Sequence, residues 1–238
     1  MNNIYTIFRK EIASYFNSPI AYIFIAVFLI SSVWLFFQNF FLAGQASMRG
    51  YFYFLPWIFL FLAPAISMRS FAEEKRNGTL ELLLTLPIKD WEVVLGKFLS
   101  NVVFVTVTIL LSISIPISIS SLGEMDMGLI VGGYLGAILL ASSYLALGLF
   151  VSSFTKNQIV AFIIAIAGLF FLFILGSGFV LNVVPAFLVP IFSFLGLGTH
   201  FNNIIKGVVD TRDLVYYFSF IFLFLWLTVR SIESRNWK

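Results

Sequence analysis

The chain has 238 residues, of which 61% are hydrophobic and only 11% charged. A soluble domain carries about 25% charged residues and could not hide this much apolar surface from water, so a soluble fold is excluded and an all-α integral membrane protein is expected. The lack of cysteine excludes disulfides, thiolate metal sites and cysteine nucleophiles. The net charge of +3 matches the surplus of Lys and Arg that cytoplasmic loops require, and calls for no nucleic-acid partner.

The first segment, residues 1–18, reads as an amphipathic helix. Ile4, Tyr5, Phe8, Ile12, Tyr15 and Phe16 fall within about 120° on a helical wheel. Arg9, Lys10, Thr6, Ala13 and Ser14 lie outside that arc, and Ile7 is the one apolar exception. Such a helix is expected along the membrane interface, with Phe8, Arg9, Lys10, Ile12 and Phe16 as its interfacial set. Asn17-Ser18-Pro19 ends it and opens the first span. The segment lacks the pattern of a cleavable signal peptide.

A helix needs roughly 20 apolar residues to cross a bilayer. The hydropathy pattern predicts six spans: Ile20–Phe37, Phe52–Met68, Phe98–Ser120, Leu129–Val151, Ile159–Leu181 and Leu214–Val229. The second contains Pro56 and Pro64, tolerable where neighbours satisfy the freed carbonyls. The run Val183–Leu197 is broken by Pro185, Pro190 and Gly196, with Gly198 just beyond, so residues 182–213 are expected to form a re-entrant or interfacial hairpin. With the N-terminus inside, Arg9, Lys10, Arg69, Lys75, Arg76, Lys89, Lys97, Lys156, Arg230, Arg235 and Lys238 are cytoplasmic, eleven cations against Arg49, Lys206 and Arg212 outside. That bias places both termini in the cytoplasm.

Residues 69–97, between spans two and three, hold ten of the twenty-five formally charged residues. Ser70 and Glu73 have the spacing of a capping box, and Gly78 can end a helix. Thr79 to Leu86 is expected to form a short leucine-rich helix stopped by Pro87, with Asp90 capping the next helix and Lys97 snorkelling at its start. The leucines fit docking into a partner's groove, and they equally fit packing against the protein's own helices.

Several chemistries are missing. No Gly-x4-Gly-Lys-Ser/Thr loop is present, so any ATP hydrolysis is expected on another chain and no cofactor on this one. His200 is the only histidine and Ser177 lacks the glycine two residues before it that intramembrane serine proteases carry; His200 is expected at the interface, and Gly176 and Gly178 at a close helix approach. Asp, Glu, Lys and Arg are absent from residues 98–123, 127–155 and 157–201, which argues against coupling to protons or ions.

The block Glu73-Glu74-Lys75-Arg76-Asn77-Gly78-Thr79-Leu80-Glu81-Leu82-Leu83, followed by Pro87 and Gly96-Lys97, resembles the signature of ABC-2 type transporter permeases. Lys10-Glu11 and Tyr15-Phe16-Asn17-Ser18-Pro19-Ile20-Ala21-Tyr22 also resemble that family, in particular the permease of the bacterial gliding-motility ABC transporter. The resemblance implies a single transmembrane domain over 1–238, with a connecting helix at 1–18, a cytoplasmic coupling loop at 69–97 and an extracytoplasmic hairpin at 182–213. It implies that Glu73, Glu74, Arg76, Gly78, Thr79, Glu81, Leu82 and Leu83 contact an ABC ATPase subunit. It further implies a second permease subunit, surrounding membrane lipids, a bacterial inner-membrane location, and export linked to gliding motility. A membrane scaffold or motor-associated protein without a transported substrate is the alternative.

Overall fold

The computed structural model describes residues 3–43, 45, 47–80, 87–123, 125–207 and 210–234. Within them the regular elements are all helices: α1 (Asn3–Phe16), α2 (Pro19–Ala43), α3 (Arg49–Ser67), α4 (Arg69–Arg76), α5 (Asp90–Leu111), α6 (Ser114–Ser120), α7 (Met127–Ser152), α8 (Gln158–Leu175), α9 (Gly178–Leu181), α10 (Val189–Leu195), α11 (Leu197–Ile204) and α12 (Thr211–Glu233). Six stretches are long and apolar enough to cross a membrane: Pro19–Gln38, Arg49–Arg76, Asp90–Ser120, Met127–Ser152, Gln158–Leu175 and Thr211–Glu233. These carry the six spans expected from hydropathy, and the protein is multi-pass.

Two spans depart from the expected outline for local reasons. In the third, Pro116 has no N–H to offer the Ser112 carbonyl, which accepts instead from Ile115 N at 2.9 Å, and the helix breaks between α5 and α6. The fifth stops at Leu175 rather than Leu181, because the chain turns at Gly176-Ser177 before α9. A Cβ on Gly176 would lie 3.0 Å from the Cα of Gly196, so this glycine does permit a close backbone approach. Gly178 has open space around it and makes no such contact. Pro56 and Pro64 are both buried within α3, which runs almost directly into α4.

The core is organised around α7, which packs against α3, α5, α8, α11, α12 and α4. Small residues allow this. The Phe52 ring lies over Gly133, Ser67 meets Gly148, and Phe201 and Ile204 of α11 close on Gly136. Without a hydrophobic drive between helices in lipid, such close packing is the main source of association. Helices α2, α8 and α12 are peripheral and leave apolar faces exposed, among them Ile30, Trp34, Ile163, Phe218 and Phe222.

One end of the bundle gathers α1, α4, the start of α5 and the ends of α7 and α12. There the Lys75 ammonium donates to the Ser153 carbonyl, and the Ser153 and Ser231 hydroxyls are 2.8 Å apart. At the opposite end α10 and α11 fold back onto α12. Tyr216 and Tyr217 donate to the carbonyls of Leu195 and Leu197 at 2.7 and 2.9 Å. His200 is buried there rather than lying at an interface: Nδ1 is 2.6 Å from Asp213 Oδ1, Nε2 is 2.9 Å from the Phe194 carbonyl, and the ring stacks on Tyr216. Both ring nitrogens thus lie within hydrogen-bond distance of oxygens, and the imidazole ties α10 to α12. Ser177 is not among these partners.

Candidate functional site

Sequence and structure both direct attention to the α1–α4–α5 end. The register of contacts between α1 and α5 advances in step: Asn3 donates to Glu92 at 3.0 Å, Ile7 sits on Gly96, Glu11 meets Lys97, and Tyr15 donates to Asn101 at 2.6 Å while stacking on Phe104. Helix α1 therefore packs lengthwise and parallel along the first turns of α5. The wheel set Ile7 aside as the exception, yet it is the one buried residue of α1, whereas Tyr5, placed on the apolar arc, is exposed. The reason is Gly96. A Cβ at that position would lie 2.8 Å from Ile7 Cγ2, so only glycine admits the isoleucine. Of the interfacial set, Phe8, Ile12 and Phe16 are half-buried and Arg9 and Lys10 exposed. Burial, with Glu11 nearby, pushes the Tyr15 phenol above its ordinary range, so it remains a donor to Asn101.

Lys97 does not snorkel. It is 2% exposed, and its ammonium lies 2.8 Å from Glu11 Oε1 and 2.8 Å from Glu74 Oε1. The face of Phe71 lies beside it, 5.5 Å from Nζ. One buried cation thus joins three elements: α1 through Glu11, α4 through Glu74, and α5 through its own backbone. A charge this deep is held only where it is paired on all sides.

Helix α4 is fixed on its other side by α7. The Ser152 hydroxyl accepts from Phe71 N and Ala72 N, each at 3.1 Å, and donates to the Met68 carbonyl at 2.9 Å. Ser70 accepts from Asn101 at 3.1 Å and is not the cap of α4, whose first turn is continuous with Met68; the expected Ser70–Glu73 capping box is absent because α3 supplies the preceding turn. Asp90 is the first residue of α5 rather than its cap. Glu92 instead reaches back to accept from Lys89 N at 3.0 Å.

The sequence-predicted coupling residues now separate. Glu74 is engaged inside the protein by Lys97, and Glu73 is half-buried. Arg76, Asn77, Gly78 and Thr79 are exposed and form the tip of the segment. Gly78 has φ +71° with nothing within 4 Å of a built Cβ, so it is required for backbone conformation rather than for space. Glu81, Leu82 and Leu83 lie outside the described residues, as does most of the expected helix at 79–86. Sequence reasoning named Glu11 within the family resemblance and Lys97 there and as a snorkelling cation, but left both, with Asn101 and Ser152, out of the site. A lysine beside a glycine, early in an apolar helix, was the one available signal for Lys97.

The arrangement is a mechanical one: an exposed tip on a short helix bonded to α5 and α7 and linked to α1 through Lys97. Among the described residues no group of three or more His, Cys, Asp or Glu could hold a metal ion. No curated protein matches the chain. The family model described as ABC-2 family transporter protein matches residues 5–232, nearly the whole length, and the chain belongs to that family.

Proposed function

We propose that this chain is the permease subunit of an ATP-driven exporter and that a partner ATPase docks on the segment Glu73 to Leu83. Family membership makes the chain a membrane subunit of an ABC transporter and implies an ATPase partner. The single observation that supports the docking position is the exposed Arg76–Thr79 tip on a helix held at its base by Lys97 and Ser152. In this reading ATP and Mg bind to the ATPase. Its closure displaces the tip, and the Lys97 junction makes α1 and α5 follow α4 while Ser152 brings α7 with them. Nucleotide thereby biases a two-state arrangement of the spans. Arg76, Thr79, Glu81, Leu82 and Leu83 meet the ATPase, while Glu74 acts through Lys97 as a positioning residue.

A second permease subunit completes the transporter, and the exposed apolar faces of α2, α8 and α12 are available to it and to lipid. The cation-rich end that carries Arg69, Lys75, Arg76 and Lys97 lies in the cytoplasm of a bacterial inner membrane, with both termini on that side. The N-terminal likeness to gliding-motility permeases supports a role in that process. The test is co-purification with the ATPase followed by ATPase assay in lipid. Glu81→Ala combined with Leu83→Ala should abolish the complex; full complex and undiminished ATPase stimulation would show that the ATPase docks elsewhere.

A further inference from the structure

A cavity of about 540 Å³ opens between α1, the first turn of α2 and α4. Its wall carries three cations, Lys10, Arg69 and Lys97, and three anions, Glu11, Glu73 and Glu74. Lys97 is satisfied by Glu11 and Glu74. Groups of both signs are left over. Arg69 Nε and Glu74 Oε2 are buried and have no hydrogen-bond partner. Arg69 and Glu73 stand at i, i+4 on α4, where opposite charges usually meet, yet no ion pair joins them among the described residues. Orphaned buried groups are costly, and charged ones more so.

A lone anion would satisfy Arg69 and leave Glu74 unmatched; a lone cation would do the reverse. A zwitterion satisfies both and adds no net charge to a wall whose charges, among the described residues, already cancel. Its anionic part belongs with Arg69 and Lys10, as a phosphate would. Its cationic part lies between Glu74 and Glu73, which has no ion pair among the described residues, and it has to carry N–H, because Glu74 Oε2 lacks a donor and a quaternary ammonium has none to give.

The same cavity reaches Ile20 and Ala21 at the start of α2. From Ile20 the residues Ile23, Val27, Ile30 and Trp34 follow at steps of three and four along one helix face, and they are 59%, 49%, 69% and 65% exposed. A polar pocket for a headgroup therefore opens onto an apolar track for a chain, at the end of a membrane span. We infer that the cavity binds the headgroup of an aminophospholipid of the phosphatidylethanolamine type, with an acyl chain along α2. This goes beyond the docking of an ATPase and is read on the chain alone.

Native mass spectrometry of the full chain, stripped of lipid in detergent, tests it by separate titration with phosphatidylethanolamine, phosphatidylcholine, phosphatidylglycerol and soluble glycerophosphoethanolamine. One phosphatidylethanolamine per chain should bind about tenfold more tightly than phosphatidylcholine or phosphatidylglycerol. Arg69→Gln and Glu73→Gln should each remove that preference, while Lys206→Gln at the opposite end leaves it intact. Should Arg69→Gln fail to fold, the half-buried Glu73→Gln carries the same expectation. Equal binding of the three lipids, or a preference indifferent to Glu73→Gln, overturns the assignment and leaves the cavity to water. Binding of glycerophosphoethanolamine as tight as that of the lipid would overturn the acyl track and make a soluble compound the ligand.

Discussion

Replacing Lys97 by methionine keeps most of the side-chain volume and removes the charge that Glu11 and Glu74 share. Both carboxylates lie 2.8 Å from the ammonium and are only 18% and 16% exposed, so each loses its main counter-charge inside the protein. Removing one partner of a buried pair costs about 3–5 kcal/mol. Partial solvent access to the carboxylates lowers this to roughly 3 kcal/mol. At about 2–4 °C per kcal/mol for a chain of this size, the midpoint of thermal unfolding in detergent should fall by roughly 6–12 °C. The informative comparison is the triple variant Lys97→Met with Glu11→Gln and Glu74→Gln. It leaves no unpaired charge, and replacing an entire buried ionic group is often neutral or stabilising. The triple variant should therefore regain most of the lost stability. It should nevertheless fail to transmit ATPase stimulation, because α1, α4 and α5 are no longer joined. The reasoning is refuted if Lys97→Met unfolds at the wild-type temperature, or if the triple variant is no more stable than the single one.

Four further outcomes follow from individual contacts. Gly96→Ala should cost about 1–3 kcal/mol by driving Ile7 off α5, visible as faster proteolysis within α1. Gly78→Ala should cost only about 1 kcal/mol, the penalty of a left-handed conformation, yet weaken ATPase co-purification more than it lowers the unfolding temperature. Ser152→Ala strands the amides of Phe71 and Ala72 and should cost about 1–3 kcal/mol, with faster hydrogen exchange confined to α4. Asp213→Asn replaces the carboxylate that His200 meets at 2.6 Å and should loosen α10 and α11, read as new protease sites between residues 189 and 204, with the α1–α4–α5 end unaffected.

The six spans were legible because hydropathy is a local property summed over twenty residues, and a run such as Gln158–Leu175 admits no other fold. The positive φ of Gly78 was equally local. What could not be read was long-range. Lys97 meets a carboxylate 86 residues away and another 23 away, and a snorkelling lysine and a bridging one look alike in the chain. Ile7 broke the amphipathic arc because its partner is a notch made by Gly96, which no wheel of α1 alone contains. His200 lies in a segment of broken hydropathy that reads as a loop, but Asp213 and Tyr216 on the next span draw it inward. The Ser70–Glu73 spacing matched a helix start where none was needed, since α3 runs into α4.

The claim that an ATPase engages the α4 tip is tested most directly by site-directed cross-linking, for which a chain without cysteine is a ready background. A single cysteine placed by Asn77→Cys, at an exposed position on the tip, and labelled with a short maleimide–diazirine reagent should give a covalent adduct with the co-expressed ATPase on illumination, because the carbene inserts into any nearby bond and needs no thiol on the partner. Leu122→Cys, exposed at the other end of the bundle, should give none. An adduct from Leu122→Cys, or its absence from Asn77→Cys in a complex that still forms and hydrolyses ATP, would contradict the account.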